Sequence, residues 1–565
     1  MPMQSDSSST LADAKPPRNR FARRWRMMSA LALAVTLVAL VPFASLLVLA
    51  GGDAEGVWPH LVRNVLPRSL GETAMLLAGV GAFTSCIGIV SAWLVARYRF
   101  PGRDFLHWAL VLPLAIPTYL AAYCFVEIAD YTGPLQGAVR ALGGFTSPAQ
   151  YWFPEIRSLP GAVFVMSAVL YPYVYLTCRL VFEMQGSTVI DTSRVLGAGG
   201  WRQFARVAAP LARPALIAGA TLAMLEALND IGAVEFLGVR TLTFSVFDTW
   251  LNRGSLAGAA QIALVMLVFV AALMTAERKG RGDRRYAAKG SAGQALSPAR
   301  LSGPRAAAAS IACALPPLVG FGAPVALMLT YAFRRLDQFA DSALADAAFN
   351  SVTVSAFAAL IAVAASFAVV AAQRSRPGKA FAAMLRMVTL GYAVPGSVLA
   401  IGTLFAFTRF DNTLDAFMRG QFGISTGLLV SGTAAIVIYA MTVRFLAIAH
   451  GSLESGYSRL SGHLSMAART LGKSETGTLL LVEFPLLKRA FATAGLFVFV
   501  DAMKELSATI LLRPFNFSTL ATFVYEKASR ARFEDATVAA LAIVAIGMVP
   551  VILLSSMQRG AAKRS

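Results

Sequence analysis

The sequence has little charge and few of the residues from which catalytic centres are built. Only 14% of its 565 residues are charged, against 57% hydrophobic, and it has four histidines and four cysteines. The histidines are scattered, and every cysteine lies inside an apolar run: Cys86, Cys124, Cys178 and Cys313. This pattern argues against a disulfide framework or a metal cluster and favours small buried core residues. No hydrolytic triad or dinucleotide fingerprint is present, and the chain is too apolar for an ordinary soluble domain.

What the chain has instead is a series of uncharged runs of about 20 residues, the length that crosses a bilayer as a helix. We therefore predict an all-α membrane protein with about 12 transmembrane helices. The predicted spans are residues 27–51, 71–96, 106–128, 160–183, 211–233, 256–277, 306–332, 349–372, 383–407, 424–449, 486–511 and 536–556.

The net charge of +20 is concentrated in short segments between alternate runs. That is the positive-inside pattern of a membrane protein with both termini in the cytoplasm, and it argues against nucleic-acid binding. The run after the N-terminal tail is longer than a signal-peptide core, so we interpret it as an uncleaved first span. The predicted segments are a basic cytoplasmic tail (1–26), a first half (27–277), a cytoplasmic linker (278–305), a second half (306–556) and a cytoplasmic tail (557–565).

An internal duplication organises the chain. The polar stretch from Asp191 to Leu216 is repeated from Ser465 to Ala490, and the matching positions are separated by 275 residues. The matching pairs are Arg194 and Arg469, Leu196 and Leu471, Gly197 and Gly472, and Pro210 and Pro485. Six spans return the chain to its starting side, so the two halves form parallel repeats, related by a two-fold axis along the membrane normal. Proline inside the spans, at Pro113, Pro117 and Pro395, marks either bent helices beside the pathway or packing kinks.

Acidic residues follow each polar stretch inside the fifth span of each half. Glu226 and Asp230 in the first half align with Asp501 and Glu505 in the second, and Lys504 lies between the latter two. The i,i+4 spacing places each pair on one helix face. Ionised groups in hydrocarbon are costly, so these residues are predicted to face the bundle interior or a water-filled path.

Two other interpretations of these acids stay open. In the first, Lys504 neutralises Asp501 or Glu505 and the remaining acids meet water at the outer mouth. In the second, the acids are proton or ion sites of an ion-coupled secondary transporter or channel. That interpretation does not explain two similar polar loops on one side of the membrane.

The stretch from Ala467 to Ser474 fits a loosened phosphate-binding loop pattern, but it lacks the required context. Such a loop follows a buried strand and has glycine at its first position. Here a helical segment precedes it, and the first position is alanine. We therefore predict that this chain binds no nucleotide.

The paired polar stretches resemble the EAA loop of permease subunits of ATP-binding-cassette (ABC) importers. In the first copy Asp191 stands at the position of the motif's glutamate; in the second, Met466 does. The residues around the intramembrane acids are similar to those of the fused two-half ferric iron permeases. The coupling residues implied by the resemblance are Asp191, Arg194, Gly197, Pro210, Ala468, Arg469, Gly472 and Pro485.

This resemblance implies a type I ABC importer permease fold in the bacterial inner membrane. The implied partners are two copies of an ATPase subunit docked on the loops, a periplasmic substrate-binding protein, and membrane lipid. The chain itself would bind no cofactor, and the partner subunit would use ATP. The implied cargo is iron(III), in transient contact with Glu226, Asp230, Asp501 and Glu505, and thiamine, a polyamine or a phosphonate is the alternative.

Overall fold

A computed structural model describes residues 18–54, 56–184, 193, 197, 199–281, 298–375 and 378–562. Within these ranges the chain is almost entirely helical, as predicted, because a helix satisfies the backbone polar groups of an apolar segment where no water can reach them. The first half contains α1 (Arg18–Ala50), α2 (Trp58–His60), α3 (Leu66–Arg97), α4 (Arg103–Ala109), α5 (Thr118–Ala129), α6 (Pro134–Gly143), α7 (Leu159–Met184), α8 (Gly200–Gln203), α9 (Ala209–Asn229), α10 (Ile231–Phe236), α11 (Leu242–Leu251) and α12 (Leu256–Arg281). The second half contains α13 (Gly303–Pro317), α14 (Ala323–Arg334), α15 (Ser342–Ser375), α16 (Lys379–Arg386), α17 (Leu390–Ala393), α18 (Gly396–Phe422), α19 (Ala434–Ser458), α20 (Gly462–Thr470), α21 (Glu475–Thr478), α22 (Phe484–Met503), α23 (Thr509–Leu512), α24 (Leu520–Ser529) and α25 (Thr537–Ala562).

The number of continuous spans is smaller than the predicted twelve. Among the described residues, nine helices are long and apolar enough to cross a membrane, and a bent pair of helices brings the number to ten. Three predicted spans, 106–128, 383–407 and 486–511, have no counterpart among the nine, and the span 211–233 is broken after Asn229. All of these runs are apolar, but each contains a break in the helix.

Proline accounts for two of these breaks. The helices on either side of Pro117 meet at 95°, and Pro117 has extended backbone angles (φ −57°, ψ 143°). Pro395 stands at the same place in the second half with nearly the same angles (φ −55°, ψ 142°), directly before α18. A proline ring clashes with the preceding helical turn and disfavours helix at the residue before it, so a new helix begins after each proline. Both prolines therefore mark broken helices.

The two halves interlock through their first helices. From α1, the carbonyl of Val38 accepts a hydrogen bond from the Tyr439 hydroxyl (2.6 Å), and the Pro42 backbone lies so close to Gly402 that a side chain would not fit there. In the same way Gly320, between α13 and α14, lies against the Ala168 carbonyl in the first half. Each half thus contributes its first helix to the core of the other.

The end of the linker is attached to the first half by a short parallel sheet. Strand β1 (Tyr98–Arg99) pairs with strand β2 (Ala299–Arg300), and the Leu301 amide donates to the Arg99 carbonyl (2.9 Å). This pairing fixes where the second half begins relative to the loop after α3.

Candidate functional site

Breaks in the two fifth spans bring the predicted acids together. Helix α9 ends at Asn229 and α22 ends at Met503, and a short helix follows each break. A cavity of about 140 Å³, here called the central cavity, lies at these breaks. All five predicted pathway residues line it: Glu226, Asp230, Asp501, Lys504 and Glu505. The aligned acids of the two halves thus line one cavity, but Asp230 and Glu505 lie just after the ends of α9 and α22 and not on the helix faces that the i,i+4 spacing predicts.

Asp230 and Glu505 hold the breaks in place. The Asp230 carboxylate accepts a hydrogen bond from the Ala233 amide (2.9 Å) and so caps the N-terminus of α10. The Glu505 carboxylate accepts from the amides of Ala508 (2.8 Å) and Thr509 (3.0 Å). Such bonds satisfy amides that have no partner inside the helix. These two acids therefore have a structural role beside any contact with cargo, which the sequence reasoning did not assign to them.

A hydroxyl group supports each capping acid as well. Thr118, the first residue of α5, donates to Asp230. Thr509 donates its hydroxyl to Glu505 (2.6 Å). The two caps are therefore closely similar in chemistry, although Thr118 comes from another helix and Thr509 lies four residues after its acid.

The cavity also contains an arginine that the sequence analysis missed. Arg444, in the middle of α19, forms an ion pair with Glu505 (Nη1–Oε1 3.1 Å), and their side chains are only 11% and 2% exposed. Removing one partner of a buried pair costs about 3–5 kcal/mol, because the other charge is left uncompensated. The duplication could not reveal this residue, since Val169 stands 275 positions earlier. The sequence did contain one indication of its importance, because an arginine inside a predicted membrane span usually has a functional role.

Glu226 and Asp501 differ from the capping acids. Glu226 accepts a hydrogen bond from the Tyr392 hydroxyl (2.6 Å), and Asp501 lies 3.4 Å from the Lys504 ammonium group. The Asp501–Lys504 pair is partly exposed, with 36% and 20% of the side chains accessible, so solvent screening makes it weak. Of the two acids suggested as partners of Lys504, the structure places Asp501 beside it, and Glu505 pairs with Arg444 instead. Glu226 and Asp501 retain oxygens that no helix terminus uses.

The four acids share the cavity without forming a metal-binding cluster. Within the part of the chain that the structure describes, no group of three or more His, Cys, Asp or Glu side chains is arranged to hold a metal ion. In this conformation the acids are spread around the cavity wall, and the basic groups of Arg444 and Lys504 lie among them. The predicted transient contact of the acids with iron stays a prediction.

The two predicted coupling loops have the same backbone conformation at their glycines and similar elements after them. Gly197 and Gly472 have positive φ values of 79° and 80°, and both are exposed. A one-turn π-helix follows each glycine, at Phe204–Ala208 and Leu479–Glu483. Pro210 and Pro485 then lie in the first turn of α9 and α22, where a missing amide hydrogen costs least. The glycine and the proline thus have the same structural role in both loops.

The other predicted coupling residues are less fully described. Asp191 and Arg194 lie outside the described residues, as does the side chain of Arg469. Ala468 is buried. Two large apolar side chains of the loops that we did not single out are Trp201, 75% exposed, and Leu471, 81% exposed. Exposed apolar side chains beside each glycine are suited to contact with another protein.

The segment that resembles a phosphate-binding loop does not have the fold that such a loop requires. Residues Gly462–Thr470 form helix α20, and the turn at Gly472 leads into helix α21. A phosphate-binding loop instead connects a strand to a helix. The geometry at this site is that of a helix ending at glycine.

Comparison with known proteins agrees with this arrangement. Residues 85–278, which include the first loop and its acids, match the model of the family described as binding-protein-dependent transport system inner membrane component. The Fe(3+)-transport system permease protein FbpB 2 of Haemophilus influenzae is 23% identical over 499 residues, which cover 87% of this chain and 90% of that protein.

Permeases named for other cargoes match shorter parts of the chain. The sulfate transport system permease protein CysT of Escherichia coli is 29% identical over 207 residues, or 36% of this chain and 71% of that protein. The molybdenum transport system permease protein ModB of the same species is 28% identical over 219 residues, or 37% of this chain and 90% of that protein. Residues 85–278 thus contain the domain of the inner-membrane permeases of binding-protein-dependent transport systems, and the similarity to a permease of this kind extends over both halves of the chain.

Proposed function

We propose that this chain forms the membrane pathway for iron(III), which a binding protein delivers from the outside and a separate ATPase drives across. The observation that carries the proposal is the central cavity, into which two carboxylates from each half project. Carboxylate oxygens suit a hard cation such as iron(III). The similarity to the ferric iron permease, which extends over both halves, supports the same cargo.

Charge distinguishes this cargo from the anions for which other relatives are named. With all groups ionised, the cavity has four negative and two positive side chains, so it favours a cation over sulfate, molybdate or a phosphonate. The two basic side chains of the cavity are already paired with acids, Arg444 with Glu505 and Lys504 with Asp501, so neither is free to bind an anionic cargo. Polyamines and thiamine carry positive charge too and remain the competing cargoes.

The cargo can be tested with the complete importer in proteoliposomes. We expect ATP-dependent uptake of radiolabelled iron(III) supplied on the binding protein, and no uptake of labelled sulfate, molybdate, thiamine or spermidine under the same conditions. Uptake of one of these compounds in place of iron would contradict the assignment.

We further propose that the ATPase subunits, one for each coupling loop, dock on the two loops at the cytoplasmic face. The loops are duplicated, exposed and built on glycine turns that fix their shape. Two similar loops, one from each half, provide two docking surfaces, so a pair of ATPase subunits fits. ATP would then be bound by these partners and not by this chain.

The proposed orientation, with both termini and both loops in the cytoplasm, can be tested by labelling. After replacement of the native cysteines, cysteine at Gly199 or Ser474 should react with an impermeant maleimide only from the cytoplasmic side. Cysteine at Asp341 should react only from the outside. The positive charge of the segments around the loops is the physical reason. Labelling of Gly199 from the outside would rule out this orientation.

A further inference from the structure

A second polar cavity lies on the proposed outer side of the central one. This outer cavity has a volume of about 340 Å³. Its lining includes three acids from two separate segments, an arginine and two aromatic residues: Glu127, Asp130, Glu235, Arg157, Phe236 and Tyr525. The Tyr525 hydroxyl donates to Glu235 (2.8 Å), and the Tyr331 hydroxyl donates to Glu127 (3.2 Å). Three carboxylates and one arginine leave this cavity with an excess of negative charge, as in the central cavity.

Two helices connect the cavities directly. Helix α5 has Tyr119 at the central cavity and Glu127 at the outer one. Eight residues of helix separate these positions by about 12 Å. Helix α10 is capped by Asp230 at the central cavity, and Glu235 near its end lines the outer cavity. The two cavities therefore lie about two helical turns apart along the same pair of helices.

Aromatic side chains lie between the two cavities. Tyr123, one helical turn after Tyr119, packs edge-to-face on Phe236, with 4.5 Å between ring centroids. The Tyr119 and Tyr123 rings are 5.9 Å apart. Tyr119 is 3% exposed and Tyr123 fully buried, and the hydroxyl of each has no hydrogen-bond partner among the residues that the structure describes. Burial of an unpaired hydroxyl is costly, so these oxygens have an unused capacity to bind a ligand.

We propose that the outer cavity is the loading site of the pathway for a hard multivalent cation, and that Tyr123 and Phe236 form the barrier between it and the central cavity. This inference rests on the proposed function. The cation first contacts the carboxylates of the outer cavity. When the aromatic contact opens, the hydroxyls of Tyr123 and Tyr119 supply oxygen contacts along the roughly 12 Å of α5 between the two cavities. Oxygen donors along the path lower the energy of a cation that has left water.

The first test removes single groups in the complete importer. Glu127→Gln combined with Glu235→Gln, and separately Tyr123→Phe, should each lower iron(III) uptake by about tenfold, the factor that one hydrogen bond to a charged group provides. Glu183→Gln is the control for loss of an acid, because Glu183 pairs with Arg179 away from both cavities. Tyr171→Phe is the matched control for the phenol, because Tyr171 is also fully buried with an unpaired hydroxyl. Both controls should transport at the parental rate.

The second test measures binding in the intact chain, in lipid nanodiscs, with terbium(III) as a hard trivalent probe. Terbium luminescence excited through tyrosine should be retained by the Glu183→Gln control and lost in the Glu127→Gln, Glu235→Gln variant. Parental iron uptake by that variant and by Tyr123→Phe, or terbium binding unchanged in the acid variant, would overturn the loading site and leave the iron assignment intact. If the unaltered importer takes up no iron, the proposed function fails, and the inference with it.

Discussion

A permease with valine at both Gly197 and Gly472 is expected to insert normally and to lose coupled transport. Both glycines have φ near +80°, a conformation that a β-branched residue adopts only with strain of roughly 1–3 kcal/mol per site. The strain is relieved if the loop changes shape, and the surface that meets the ATPase then no longer fits. We expect uptake to fall by roughly tenfold or more, since each 1.4 kcal/mol is a factor of ten. Pull-down of the ATPase and transport in proteoliposomes measure the two effects.

Two matched variants separate backbone strain from a simple steric effect. Gly199 lies in the same loop with an ordinary φ of −69° and has open space around it, so Gly199→Val should transport normally. Asparagine tolerates positive φ better than other residues with a side chain, so Gly197→Asn with Gly472→Asn should retain most of the coupling. Parental transport by the double valine variant would show that the loop geometry does not matter for coupling.

Loss of iron uptake is the expected result for Glu226→Gln combined with Asp501→Asn. These two acids line the central cavity but cap no helix, so their removal changes the charge without breaking the fold. A unit charge about 4 Å away is worth roughly 4 kcal/mol near a protein surface, and a trivalent ion loses more. We expect uptake to fall by more than about 100-fold, while hydrolysis of ATP stimulated by the binding protein persists.

The choice of these two acids follows from the hydrogen bonds. Substitution of Asp230 or Glu505 removes a helix cap as well as a charge, so loss of function there has two possible causes. Glu454→Gln is a suitable control, because Glu454 is a largely exposed carboxylate on α19. If the Glu226→Gln, Asp501→Asn variant transports iron as fast as the parent, the acids are structural and the cargo assignment loses its physical basis.

The features that could be predicted from the sequence are those that the duplication repeats. The 275-residue offset matched Gly197 with Gly472, and both have the same positive φ. The same offset matched Asp230 with Glu505, and both cap the helix after a break. The duplication identifies such residues because the same local structure, formed once in each half, requires the same type of residue at the matching position.

The features that could not be predicted depend on contacts between distant segments. Arg444 has no counterpart in the first half, and Tyr392 approaches Glu226 from a segment 166 residues away. Which of the predicted spans are straight could not be predicted either, because hydropathy does not distinguish a straight span from one broken at Pro117. The exchange of first helices between halves depends on close backbone contacts such as that of Gly402 with Pro42, and periodicity contains no information about these.

The measurement that tests the central claim most directly is iron uptake into proteoliposomes with one component omitted at a time. If this chain is the passive pathway of an importer, uptake requires the chain, its ATPase, the loaded binding protein and ATP, and stops when any one is left out. Uptake by the chain alone, without ATP and along an ion gradient, would contradict the account and identify an ion-coupled transporter or a channel.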